Sequence, residues 1–194
     1  VSSSDEYFYR IAARSTNPDP VANPADIISY SNVASALSIF GIVPFYSNLT
    51  YATVSPLTNN VEVQFYRDTL TELKSYTLYR GEAKDKLTPL DFVLKSEVEG
   101  VDRFEFFDAT ADVDARDYYY QVVTQNECDN VIDVSNLGRT IHLTVESDDE
   151  GLRNTLRWNR YEGWDSTTAY YNVYRGLEGD FSTQVHAVVA PNSK

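Results

Sequence analysis

The sequence predicts an all-β chain, and three observations carry that reading. Short segments alternate apolar and polar residues with a period of two, at Tyr7 to Ser15, Val61 to Tyr66 and Thr155 to Asn159. Aromatic residues make up 13% of the chain, chiefly 15 Tyr and 9 Phe, and such side chains suit pleated, half-buried strands. Between these segments lie clusters of Asn, Asp, Pro and Gly, such as Asn17-Pro18-Asp19-Pro20 and Asp148-Asp149-Glu150-Gly151, and no long amphipathic helical pattern interrupts them.

The elements repeat. Ser75-Tyr76-Thr77-Leu78-Tyr79-Arg80-Gly81 returns as Tyr170-Tyr171-Asn172-Val173-Tyr174-Arg175-Gly176, an offset of 95 residues. Tyr7-Phe8-Tyr9-Arg10-Ile11 returns as Tyr118-Tyr119-Tyr120-Gln121-Val122 at an offset of 111. Between those two markers, Ser31-Asn32 answers Ser135-Asn136, and Phe65 answers Trp158. Three changes in loop length reconcile the offsets, which is how insertions distribute in a repeat of small supersecondary units. The first pair of motifs belongs early in a unit and the second belongs late.

The expected organisation is therefore the tail of one sandwich over 1–38, an apolar linker over 39–46, a complete sandwich over 47–142 and the front of a third over 143–194. The linker holds Ile39-Phe40-Gly41-Ile42-Val43-Pro44-Phe45, too apolar for a flexible spacer and suited to packing between neighbours. Incomplete sandwiches at both ends, together with the lack of any Met, suggest a segment of a longer repetitive protein. The terminal pieces are expected to lean on further β structure, since half a sandwich cannot cover both inner faces.

Composition narrows the partners. A net charge of −13 opposes nucleic acid and anionic membrane surfaces, which need clustered Lys and Arg. No apolar run reaches the ~18 residues that a membrane-spanning helix needs. The single cysteine, Cys128, lies in Gln125-Asn126-Glu127-Cys128-Asp129-Asn130, a predicted hairpin tip, and excludes an internal disulfide framework.

Catalytic chemistry finds little support. The two histidines, His142 and His186, sit in none of the HExxH, GxSxG or Cys-His settings. No cofactor is implied. Calcium is the inorganic candidate, through Asp108, Asp112, Asp114 and Asp117 or through Asp148, Asp149 and Glu150, because hard cations gather several oxygens from one loop. Neither run has the EF-hand spacing, and solvated turns account for both. Tyr161 and Trp164 form the candidate ligand-contact pair, because an aromatic platform in a loop needs a cover, whether a sugar or a neighbouring domain.

At this point the residues resemble a family. Thr155-Leu156-Arg157-Trp158-Asn159 followed by Ala169-Tyr170-Tyr171-Asn172-Val173-Tyr174-Arg175 looks like the second and third strands of a fibronectin type III domain. Phe106-Phe107-Asp108-Ala109, Asp117 to Val123 and Val134-Ser135-Asn136 look like its last three strands. The resemblance implies that Trp158, or Phe65 in its place, anchors the core. It also implies that Tyr118, or Tyr7, closes the corner with its hydroxyl. The run Trp158 to Asp165 before Tyr171 to Gly176 is similar to repeats of type IX-secreted and gliding-motility-associated surface proteins of Bacteroidota. That likeness implies an extracellular, cell-surface location and O-glycosylation at Thr69 and Ser166, in Asp68-Thr69-Leu70 and Asp165-Ser166-Thr167.

The expected function is a non-catalytic structural or adhesive segment of a large bacterial surface protein. Its partners would be neighbouring domains of the same chain and a surface glycan or cell-surface protein. The alternative is a carbohydrate-binding or spacer module of a secreted polysaccharide-degrading enzyme.

Overall fold

The computed structural model describes residues 6–14, 28–37, 44–69, 73–148, 150–151, 153–164, 168–176 and 185–189. The chain divides into two compact units, Val1–Ile42 and Val43–Lys194. Nearly every described element is a strand, joined in antiparallel sheets.

The second unit contains a two-sheet sandwich. One sheet has the order β5–β6–β9, from Ser47–Val54, Val61–Arg67 and Arg103–Asp108. The other has the order β11–β10–β7–β8, from Val131–Val134, Tyr119–Gln125, Ser75–Gly81 and Thr88–Leu94, with the two-residue β12 (Gly138–Arg139) also on β10. The alternation in β6 decides its faces. Val61, Val63, Phe65 and Arg67 are buried, while Glu62, Gln64 and Tyr66 are half-exposed. Phe65 packs its ring on Tyr76 of the opposite sheet and on Phe104, at 5.5 Å each. Leu49, Leu78, Phe106, Tyr120 and Val122 close the same core. Edge-to-face aromatic pairs of this kind add about 0.5–1.5 kcal/mol beyond the area they bury.

Arg67 and Asp108 are the most deeply buried charged side chains among the described residues of the sandwich. Arg67, 2% exposed, donates to the carbonyls of Val98 and Val101 at 2.5 and 2.7 Å and to the Tyr76 hydroxyl at 3.0 Å. Those partners satisfy a group that could not otherwise be buried. Asp108, also 2% exposed, accepts from Arg80 Nη1 at 2.8 Å, from the Tyr120 hydroxyl at 2.8 Å and from the Thr110 amide at 2.9 Å. The triad ties β9 to β7 and β10, so it bridges the two sheets. The turn joining β10 to β11 holds Cys128 at its exposed tip, with Asp129 in the left-handed region at φ 60°.

The same unit continues into two hairpins. Leu143–Ser147 (β13) pairs with Asn154–Trp158 (β14), and Tyr171–Tyr174 (β15) pairs with Val185–Val189 (β16). The first unit is a ladder of short strands in which Glu6–Tyr9 (β1) pairs with Ala34–Leu37 (β4), and Ala12–Arg14 (β2) with Ile28–Tyr30 (β3).

Candidate functional site

Polar side chains concentrate where the sandwich passes into the segment after β12. Ser135 prepares the place. Its amide donates to the Val122 carbonyl at 2.9 Å, its Oγ accepts from the Val122 amide at 2.9 Å, and the same Oγ donates to the Asn136 carbonyl at 2.8 Å. So pinned, Asn136 turns its amide toward β5. A bulge between Leu49 and Tyr51 breaks the β5–β6 ladder there. Asn136 acts as a substitute strand: its Oδ1 accepts from the Leu49 amide at 2.8 Å, and its Nδ2 donates to the Leu49 carbonyl at 3.0 Å. The same Nδ2 donates to the Gly163 carbonyl at 2.6 Å, so one side chain holds the sandwich and the following segment together.

Around this clamp the backbones approach closely. A Cβ on Gly138 would stand 2.6 Å from Leu49 Cδ2. Gly163 lies at φ +146°, where a Cβ would meet Gly138 Cα at 3.4 Å. Both positions therefore favour glycine, one for space and one for conformation. Tyr161 accepts from the Ala52 amide at 3.3 Å through its hydroxyl, and its ring lies 4.5 Å from that of Trp164. Trp164 Nε1 donates to the Thr50 carbonyl at 3.1 Å while its ring stays 53% exposed.

A charge network flanks the clamp. The Arg139 amide donates to the Glu162 carbonyl at 2.7 Å, its Nε pairs with Asp117 at 2.6 Å and its Nη1 with Glu162 at 3.2 Å. Lys84 reaches the other Glu162 oxygen at 2.5 Å. Burial pushes the Glu162 carboxyl up, but Lys84 and Arg139 outweigh it and hold the group below the usual glutamate range. The hydrogen bond to Glu162 raises Lys84 in turn. Asn159 completes the connection, accepting from the His142 amide at 2.6 Å and donating to the Thr140 carbonyl at 2.8 Å. The chemistry of this region is mutual fastening, because its donors and acceptors are engaged with other parts of the same unit.

The residues singled out by sequence fall in distinct places. Phe65 is fully buried at the core centre. Tyr118 is buried, and its hydroxyl accepts from the Asp112 amide six residues back at 3.1 Å. Trp158 is half-buried, edge-on to Tyr171 at 5.7 Å. Tyr7 stands in β1 at 36% exposure. Thr69 is exposed in the loop after β6, whereas Ser166 and the stretch 39–43 lie outside the described residues. Of the rest of the linker, Pro44 is half-buried, Phe45 is 93% exposed, and Tyr46 stacks on Tyr66 at 4.8 Å.

The aspartates proposed for calcium are separated by their partners. Asp108 faces Arg80 and Asp117 faces Arg139, while Asp112 accepts from the Ala115 amide. Among the described residues no three His, Cys, Asp or Glu side chains are grouped to hold a metal ion. His142 Nε2 lies 3.0 Å from the Asp114 carbonyl oxygen. Arg139 and Glu162 carry no signal of this role in the sequence, whereas Asn136 does. That signal is the recurrence of Ser31-Asn32 as Ser135-Asn136.

The fold and this junction define a class: an all-β chain in which a sandwich is fastened to the β structure that follows it. No family model matches the chain, and no curated protein matches it. Among solved structures it is similar to a β-1,2-glucanase from Parabacteroides distasonis, at 13% identity and a TM-score of 0.33, over 58% of this chain and 15% of that chain.

Proposed function

We propose that this chain is a non-catalytic structural and adhesive segment of a long bacterial surface or secreted protein, built from fibronectin type III-like sandwiches in series. The observation that carries the reading is the junction. Asn136 bonds Leu49 within the sandwich and Gly163 beyond it, and Arg139, Trp164 and Tyr161 add fixed ties across the same boundary. Serial β domains need such ties to transmit position along an array. The strand order β5–β6–β9 against β11–β10–β7–β8, with the Tyr118 hydroxyl closing the corner, supports the fibronectin type III assignment.

In this role the sandwiches set reach, and repeated weak contacts to a glycan or a cell-surface protein gain strength through effective concentration. Extracellular exposure and a role in gliding motility are part of the same proposal, resting on the resemblance of the Trp158 to Gly176 stretch.

Peptide mapping of the native polypeptide from its source tests the reading. The expected result is a mass many times 22.0 kDa, with similar sequences on both sides and labelling from outside the cell. A native chain near 22.0 kDa would overturn it. Retention on a polysaccharide that is lost in Trp164→Ala would replace it with a carbohydrate-binding module.

A further inference from the structure

The outer face of the β11–β10–β7–β8 sheet carries a recess of about 370 Å³, within the ~300–1,000 Å³ of small-molecule sites. Residues directly opposite on antiparallel strands share a face, so the register lays out its floor. Ser75 lies opposite Gln125 on one side and Leu94 on the other, and Thr77 lies opposite Val123 and Phe92. The wall on the β8 side is made by a bulge. Leu78 faces Asp91 and Tyr79 faces Pro89, which leaves Leu90 as the extra residue. Leu90 packs inward against the core, and Asp91 and Phe92 both stand exposed, which strict alternation would forbid. Bulges re-aim side chains in this way. Phe92 is 60% exposed and Leu94 38%, beside a floor in which Ser75 is 6% exposed.

The floor is polar, uncharged and loosely engaged. The Ser75 and Thr77 hydroxyls both donate to one atom, Gln125 Oε1, at 3.5 and 3.3 Å, well beyond the ~2.7–2.8 Å of a good O–H···O bond. Gln125 Nε2 donates to the Asp129 carbonyl at 3.3 Å. At the end of the recess Lys74 Nζ pairs with Asp129 at 2.5 Å, and both side chains stay open to solvent. The frame beneath is fixed. The Lys74 amide donates to the Gln125 carbonyl at 2.8 Å, and the Lys74 carbonyl accepts from the Lys95 amide at 2.9 Å. Asn126 Oδ1 accepts from the Cys128 and Asn130 amides at 3.0 Å each, which sets the turn that carries Asp129. A fixed frame under weakly bonded hydroxyls loses little on ordering when a ligand replaces those bonds.

We infer that this recess binds a neutral glycan and supplies the weak, repeated contact that the adhesive reading above calls for, on which the inference rests. A pyranose ring has an apolar C–H face and a rim of hydroxyls that each donate and accept. Phe92 and Leu94 offer the apolar surface, and Ser75, Thr77 and Gln125 offer uncharged groups that likewise donate and accept. Asp129 and Lys74 set an acceptor and a donor side by side for neighbouring hydroxyls. Charge selects against other ligands. Among the described residues that line the recess, Lys74 is the one cation; it is already paired with Asp129, and Asp91 adds a second carboxylate. With −13 on the chain, an acidic polymer is repelled. A basic peptide would meet the Lys74 ammonium and a floor without charge.

Affinity electrophoresis of the full chain through gels cast with laminarin, xyloglucan, galactomannan or dextran tests the site. Alginate serves as the acidic polymer, and a labelled oligolysine peptide, read by fluorescence polarisation, as the basic one. The expected result is retardation by a neutral polysaccharide and binding of neither charged probe. Phe92→Ala should weaken the retardation about tenfold in apparent Kd, the loss of one stacking contact. Thr77→Val removes a floor hydroxyl at nearly constant volume and should weaken it several-fold with the melting of the sandwich unchanged, which keeps the test open should Phe92→Ala disturb the fold. Trp164→Ala should leave retardation intact. No retardation by any of the neutral polysaccharides, retardation that survives both Phe92→Ala and Thr77→Val, retardation lost in Trp164→Ala, or binding of alginate or oligolysine in place of a neutral glycan would each overturn the inference. A chain that no polysaccharide retards would leave the serial-sandwich reading standing, because that reading is decided by the native polypeptide.

Discussion

Asp108 shows how much one side chain can hold. It is buried between the sheets, and burial alone would push its carboxyl up. The bonds from Arg80, Thr110 and Tyr120 outweigh that and hold it below the usual aspartate range. A lowered carboxyl means that the unfolded chain binds the proton more readily. This contribution to stability is therefore complete above the ordinary aspartate value near pH ~4 and is lost as pH falls through the lower folded-state value. Asp108→Ala leaves Arg80 and the Tyr120 hydroxyl without their partner, and should lower unfolding free energy by about 3 kcal/mol in chemical denaturation near pH 7. Its loss relative to wild type should shrink as the comparison is carried to progressively lower pH, where the carboxyl takes up its proton. Gly138 is the second sensitive position. Gly138→Ala would place a Cβ against Leu49 Cδ2 and should cost about 1–3 kcal/mol in the same assay.

At the scale of elements, β6 was legible because its alternation is complete: Val61, Val63 and Phe65 point inward just where the period of two puts them. The Tyr118 to Val123 strand was equally plain. What could not be read was β12, because two residues carry no period. Gly138–Arg139 pairs with Tyr119 and Tyr120 of β10 and is held by Glu162, which lies more than twenty residues further along, and no local pattern announces a contact made at that distance. The Ser-Asn repeat flagged the right pair without saying what the asparagine would grip. Trp164 and Tyr161 were recognisable as loop aromatics needing a cover, and their polar atoms reach Thr50 and Ala52. Asn136→Ala should remove the substitute strand pairing at Leu49 and cost the sandwich about 2 kcal/mol. Glu162→Gln should act differently. It weakens the ties to Lys84 and Arg139, so the junction, rather than the sandwich core, should lose order in hydrogen exchange. Because Glu162 is held low, its ionic ties are present above the ordinary glutamate value and fade as pH falls through the lowered one.

For the molecule as a whole, repetition was the most informative property of the sequence, and its register reappears in the hydrogen bonds of Ser31 and Ser135 and in the matching shifts of β8 and β16 against their partners. The length of the connections was readable, but their stiffness was not, because stiffness comes from side chains that meet across the boundary. Fastened in this way, the sandwich and the β structure after it should move as one body. A distance distribution between spin labels at Thr53→Cys and Asn172→Cys, on a Cys128→Ser background, tests it most directly. Thr53 and Asn172 are both exposed, and they lie on opposite sides of the junction. A single narrow distribution that broadens in Asn136→Ala is expected; a broad distribution already present with Asn136 in place would mean that the two parts move independently.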